Sequence, residues 1–217
     1  SLSGCRLPVT MGADLTLYRF TMNYDRVRHG LRGMFFNMLG QHERALAAYR
    51  DSHRADPAHV GTLRTMAWLE ARQERWAAAE AWFECAIGIE PDDAHTWFNL
   101  GYVRDRGGMD EAAIAAMRRA TELNPNNDRA WYGLGMLYAR HGRHADAAAA
   151  LTEAGRLQPM NGLAWYALGM AWQHCNEPER VAAVIEHTLS HDPQTAQRLI
   201  RDTARSDFMH RLGSMQL

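Results

Sequence analysis

Lysine is absent from this chain, and all 24 basic residues are Arg. Arg and Lys are near-equivalent on solvated helix faces, so the absence reads as the bias of a GC-rich bacterial genome. Cysteine is scarce: Cys5, Cys85 and Cys175. The odd number and wide spacing exclude a metal knuckle and argue against a disulfide framework. Cys85 lies in a helical apolar pattern and reads as a small core residue, and free thiols fit a reducing compartment. No run of about 18 apolar residues exists, which excludes a membrane-spanning helix. The formal net charge of −1 supplies no global field toward nucleic acid or anionic lipid. Catalytic signatures are missing too: no Gly-rich phosphate loop after a strand, no nucleophile elbow and no HExxH. Nothing places a nucleophile beside a base, which argues against an enzyme. Histidine is plentiful, with 11 residues. His187 and His191 are four apart on a predicted helix, and His141 and His144 lie at a turn. Neither pair has a third ligand nearby in sequence, so no metal and no cofactor is expected.

What is present is a beat. Pro57, Pro91, Pro125, Pro159 and Pro193 each stand 34 residues from the next, with no insertion or deletion. A fixed period of this length marks a repeat architecture, here one elongated array. The units are 26–59, 60–93, 94–127, 128–161 and 162–195. In register, the fourth position is Trp97, Trp131 and Trp165 in the last three units. The seventh is Met66, Leu100, Leu134 and Leu168. The eighth is Gly33, Ala67, Gly101, Gly135 and Gly169, and the twentieth is Ala45, Ala79, Ala113, Ala147 and Val181. The twenty-fourth is Tyr49, Phe83, Met117, Leu151 and Ile185. Small residues at the eighth and twentieth positions let two helices approach, and the large ones fill the space beside that contact. Gly40, Gly108, Gly142 and Asn176 can end the first helix of a unit in the left-handed conformation, whereas Glu74 predicts a turn built differently. Asp93, Asn127, Asn161 and Thr195 can cap the following helix, and Pro178 fits a first helical turn.

The flanks are less regular. Residues 1–25 form an N-terminal extension, with a loose leader over 1–12 and a helix from Asp14 that covers the open edge of the first unit. Residues 196–217 form a C-terminal cap and tail, with Gln194 to about His210 as one helix carrying a polar outer face. The chain begins at Ser1 rather than Met, and Leu2-Ser3-Gly4-Cys5 looks like a lipoprotein cleavage box without its apolar leader. A cytoplasmic location is expected. The alternative is a periplasmic protein, lipid-anchored at Cys5 after loss of a signal peptide.

Across 26–195 the pattern resembles the tetratricopeptide repeat family, with its W-L-G-Y-A-F-A-P signature over 34 residues. The first unit departs most, with His29 and Arg32 where a large apolar pair is usual. The resemblance implies an all-α fold: a right-handed superhelical solenoid of antiparallel helix pairs, five repeats long, with a C-terminal capping helix. It also implies a concave groove that holds a peptide, lined by positions 2, 5, 6, 9, 12 and 13 of each first helix. Carried over, the candidate peptide-binding residues are Arg64, Trp68, His95, Phe98, Asn99, Tyr102, Arg129, Tyr132, Met136, Tyr166 and Met170, with Met34, Asn37 and Leu163 on the same stripe. An aromatic and Met-lined groove suits protein recognition. Some members clamp a C-terminal carboxylate with basic and Asn side chains. Arg64, Asn99 and Arg129 match three such positions, but Trp68 and Gly133 leave that clamp incomplete. The expected function is a non-catalytic module binding a peptide or partner segment, with a protein partner, no nucleic acid and a possible homo-oligomer. The alternatives are a self-assembling scaffold, or a bacterial secretion or pilus-assembly chaperone or lipoprotein.

Overall fold

A computed structural model describes residues 15–208, with the backbone alone for 15–22 and Ser206. The leader over 1–12, Cys5 and the end of the terminal helix toward His210 therefore lie outside the described residues. Eleven α-helices and one 3-10 turn make up the described chain, with no strand among them. The chain divides into two compact units, Ser1–Gly108 and Met109–Leu217.

The first unit holds α1 (Leu15–Met38), α2 (His42–Ala55), α3 (Val60–Ala71), α4 (Trp76–Ile89) and α5 (Ala94–Arg106). Helix α1 packs on α2 and α3 on α4, while α2 meets α3 and α4 meets α5. Helix α1 runs through position 26 without a break, so the extension helix and the first helix of the first repeat are one element. Ala45, Leu46, Met66 and Leu69 form one buried cluster, against which Phe36, Tyr49 and Trp82 pack. Val60, Leu63 and Ala86 form another, flanked by Trp82 and Cys85. The small eighth position is needed: a Cβ on Gly33 would lie 2.8 Å from the Tyr49 ring. A buried carboxylate knits the layers. Glu70 accepts from Arg50 Nη2 at 3.2 Å and from Arg75, and Arg75 Nη1 reaches Glu43 Oε1 at 2.7 Å. A carboxylate this buried is tolerated because both guanidiniums face it.

The second unit holds α6 (Asp110–Leu123), α7 (Asp128–Arg140), α8 (His144–Leu157), α9 (Gly162–His174), α10 (Pro178–His191) and α11 (Pro193–Asp202), then the 3-10 turn Ser206–Phe208. Here α6 packs on α7, α7 on α8, α8 on α9, α9 on α10, and α11 on both α9 and α10. A Cβ on Gly135 would meet Leu151 Cγ at 2.5 Å, and one on Gly169 would meet Leu199 Cδ2 at 2.6 Å. Both glycines face a large side chain two helix layers can accommodate only without a Cβ.

The turns repeat one solution. Gly40, Gly108 and Gly142 adopt φ of 71°, 76° and 71°, and Asn176 adopts 57°. Glu74 was expected to differ and does not: its φ is also 57°. Its N–H donates to Ala71 O and the Arg75 N–H to Glu70 O, both at 3.0 Å, the paired bonds that close a helix around a left-handed residue. The left-handed conformation costs a residue with a Cβ about 1 kcal/mol, which the closed hydrogen bonds offset. Helix α11 ends the same way, with Ala204 at φ 54° and Arg205 N–H donating to Ile200 O at 3.0 Å. The single long helix expected from Gln194 to about His210 therefore stops at Asp202.

The caps fall as expected at three places. Asp93 accepts from His95 N and Thr96 N, Asn127 from Ala130 N, and Asn161 from Ala164 N. Thr195 does not cap. Asp192 accepts from Thr195 N instead, because Pro193 opens α11 rather than closing α10. The tryptophans carry a bond that spacing alone did not suggest. Trp97, Trp131 and Trp165 each donate Nε1–H to the carbonyl of the proline six residues earlier, at 2.7, 2.8 and 2.9 Å. The cysteines also depart from expectation, because Cys175 is a free thiol while Cys85 is disulfide-bonded.

Candidate functional site

In the first unit, the expected groove residues come from α3 and α5. Trp68 is 40% exposed and Tyr102 38%. Their rings lie 6.1 Å apart at 36°. Below them Phe83 of α4 is fully buried and meets Trp68 edge-on, 6.4 Å away at 85°. Two large aromatic faces are thus held open to water on a rigid base, which is how aromatic anchors contribute to recognition. Phe98 is half-buried and His95 exposed beside them. A pocket of about 340 Å³ opens alongside, walled by Val27, Leu31 and Met34 of α1, Tyr49 of α2 and Thr65 of α3. It exists because Gly30 and Gly61 put no side chain into the gap.

Two expected site residues are already engaged. Asn99 is buried, with Nδ2 3.2 Å from His95 Nδ1. Arg64 Nη1 donates to Asp93 Oδ2 at 2.6 Å, so its charge is shared with the residue that caps α5. Burial would push the Asp93 carboxyl up, but the Thr96 hydroxyl, the Arg64 guanidinium and the amides of His95 and Thr96 together hold it below its ordinary value. A carboxyl lowered in the folded state stabilises above its unfolded pKa, and that contribution fades as the pH falls through the folded value. Asp93→Ala should therefore cost about 1–2 kcal/mol at neutral pH. The difference from the parent chain should shrink below about pH 4, where the unfolded carboxyl protonates. Urea unfolding at neutral and acid pH checks both.

In the second unit, Arg129 and Met136 are exposed and Tyr132 and Met170 half-buried. Tyr166 is spoken for by the terminal helix. Its hydroxyl donates to Asp202 Oδ2 at 2.8 Å, and Arg198 stacks 4.0 Å from its ring centroid. Burial and then the Asp202 bond raise the Tyr166 hydroxyl above its ordinary pKa. The four histidines weighed as ligands find other partners: His187 lies 4.5 Å from His191 and 3.9 Å from Trp165, ring to ring, His144 stacks on His174 at 4.3 Å, and His141 meets Asp110 at 2.9 Å. Among the described residues no group of three His, Cys, Asp or Glu side chains could hold a metal ion. No helix there is long and apolar enough to cross a membrane. The residues that sequence reasoning passed over lie on α1. Tyr24, Val27, Leu31, Phe35 and Met38 are exposed, although most fall at positions where a groove or a core would be expected.

With this geometry in hand, comparison with known proteins is informative. Tetratricopeptide repeat profiles match residues 94–127, 111–159 and 132–174. No curated protein sequence matches the chain. Among solved structures, MamA is similar with a TM-score of 0.71 and 21% identity, over 85% of this chain and 96% of that one. YrrB, described as a TPR protein with an unusual peptide-binding site, gives 0.70 and 19%, over 88% and 100%. PilF of Pseudomonas aeruginosa gives 0.65 and 17%, over 88% and 91%. At these identities the likeness shows the fold, an all-α solenoid of antiparallel helix pairs.

Proposed function

We propose, from the premise that this chain belongs to the tetratricopeptide repeat family, that it is a non-catalytic module that binds an extended or helical segment of a partner protein. Protein–protein interaction is the role this fold suggests. The finer reading rests on one observation: Trp68 and Tyr102 stand together in water on the buried ring of Phe83. A side chain that is large, apolar, exposed and locked in place has already lost the freedom that binding would otherwise remove. Apolar side chains of the segment lie between Trp68, Phe98 and Tyr102 in the first unit. In the second unit, Tyr132, Met136 and Met170 offer a comparable apolar stripe. Arg129 is exposed there, and it attracts an acidic group better than Arg64, which Asp93 already neutralises.

The test is affinity capture with the whole chain as bait, against a Trp68→Ala/Tyr102→Ala form. Each substitution should weaken capture by about 1–3 kcal/mol, with little change in thermal midpoint because both rings are partly exposed. Bound proteins captured equally by both forms would place the binding surface elsewhere.

A further inference from the structure

Helix α3 is capped by a group that can change its charge. Helices α5, α7 and α9 take their caps from Asp93, Asn127 and Asn161, each two residues after a proline. At the same place in the repeat, two residues after Pro57, stands His59, whose ring accepts from Thr62 N. Its Nδ1 lies 3.0 Å from that nitrogen and 2.9 Å from the Thr62 hydroxyl. A backbone N–H can only donate, so Nδ1 is unprotonated and the neutral ring carries its proton on Nε2. The Thr62 hydroxyl stands 3.5 Å from the buried Ser52 hydroxyl of α2, which donates to Arg26 O of α1 at 3.0 Å. Three helices thus meet at the ring. The ring needs Gly61 beside it, where a Cβ would lie 2.9 Å from Cε1. Arg26, Ser52, His59, Gly61 and Thr62 all line the pocket of about 340 Å³.

We infer that His59 is a proton-operated latch: the neutral ring holds the start of α3 to α1 and α2, and the protonated ring releases it. A proton on Nδ1 turns the acceptor into a donor and sets it against the Thr62 N–H. The cap is then lost, and the buried hydroxyls of Thr62 and Ser52 lose the group that orders them. The Asp and Asn caps of the other repeats give no such response near neutral pH, because neither side chain titrates there. The latch does not depend on the groove reading, since neither Trp68 nor Tyr102 takes part in it.

Charges reach the ring from every neighbouring helix. Arg26 of α1, Asp56 at the end of α2, Arg64 of α3 and Glu90 at the end of α4 all act on it. Burial is the largest influence and Arg26 the next, and both hold the imidazole below its ordinary pKa. Arg26 and Arg64 are themselves paired, with Asp56 at 3.4 Å and Asp93 at 2.6 Å, which leaves burial to decide. Tyr49, on the same pocket wall, stays neutral, since burial raises its hydroxyl further. A group held neutral in the folded chain binds fewer protons there than in the unfolded chain, over the interval between the two pKa values. The stability it contributes is therefore complete above the ordinary imidazole value of about 6.5 and fades as the pH falls toward the folded value.

The test is an NMR titration of the 217-residue chain, following the His59 ring and the Thr62 amide from about pH 8 to about pH 5. The ring should titrate below its ordinary value, and the Thr62 amide should shift with the same midpoint. Urea midpoints over the same range should fall more steeply in the parent chain than in His59→Asn, which keeps a cap but not the proton. His53, which burial also holds neutral, titrates in both forms, so the difference isolates His59. Should His59→Asn fail to fold, the titration of the parent chain decides alone. A ring that titrates at or above its ordinary value overturns the inference. So does a Thr62 amide that ignores the ring, or a His59→Asn chain as sensitive to acid as its parent.

Discussion

Phe83→Ala should lower the stability of the chain by about 4 kcal/mol. Phe83 has no exposed surface and is the bulkiest of the fully buried side chains. Truncation loses the transfer free energy of the ring and leaves a cavity between α3 and α4 that neighbouring backbone cannot collapse into. The same change should reach the candidate binding face, because Trp68 stands edge-on against this ring. Partner capture, compared under conditions where the variant is still folded, should fall nearly as far as in Trp68→Ala. Urea unfolding followed by circular dichroism gives the first number and affinity capture the second. A Phe83→Ala chain as stable as its parent would contradict the packing described. A destabilised chain with unimpaired capture would separate Trp68 from the binding surface.

Gly135→Val should cost about 3 kcal/mol in the second unit. The added Cβ would lie 2.5 Å from Leu151 Cγ and 3.3 Å from Ala147 O. Leu151 can rotate away only into its own packed surroundings, and the carbonyl belongs to helix α8. Leu151→Ala should recover part of the loss, with a coupling of about 1 kcal/mol or more in a double-mutant cycle. Gly133→Ala, two residues earlier, is the control. Its Cβ would meet only the flexible end of Met117, Cε at 3.3 Å and Sδ at 3.5 Å. The higher helix propensity of Ala should leave that variant neutral or slightly more stable. Additive effects of Gly135→Val and Leu151→Ala would mean that the two positions do not press on each other.

Both substitutions fall at repeat positions that the 34-residue beat identifies, and this is where the sequence was most legible. Spacing alone separated Phe83, Leu151 and the small eighth positions from the solvated faces. It also placed the caps at Asp93, Asn127 and Asn161. What it misplaced were choices made by local hydrogen bonding. Glu74 takes the left-handed turn that glycine takes elsewhere, since two backbone bonds close there whatever the side chain. Asp192 displaces Thr195 as a cap because a proline at the first helical position moves the cap to the residue before it. At the candidate site, the register found the aromatic pair but not the prior commitments of its neighbours. Arg64 to Asp93, and Tyr166 to Asp202, are contacts between residues 29 and 36 apart. No local pattern announces such pairs. The wall that α1 adds was less legible: Val27 and Leu31 were not singled out in the first repeat, yet with Met34 they line the pocket beside α3.

The bond from each tryptophan to its proline has a consequence for how such a chain can change length. At Pro125 and Trp131, and again at Pro159 and Trp165, the same donor meets the same acceptor across the same turn, next to an asparagine cap of the same kind. Splice Asn127 directly to Gly162, and the joint that results contains Pro125, the cap and Trp165 in the order and spacing of the joints it replaces. A genetic deletion or duplication of that size keeps the joint, and loses only pairs particular to one repeat, such as those of Arg140 and His141 with Asp110. The unit of inheritance and the unit of packing are then one object, cut at the indole N–H.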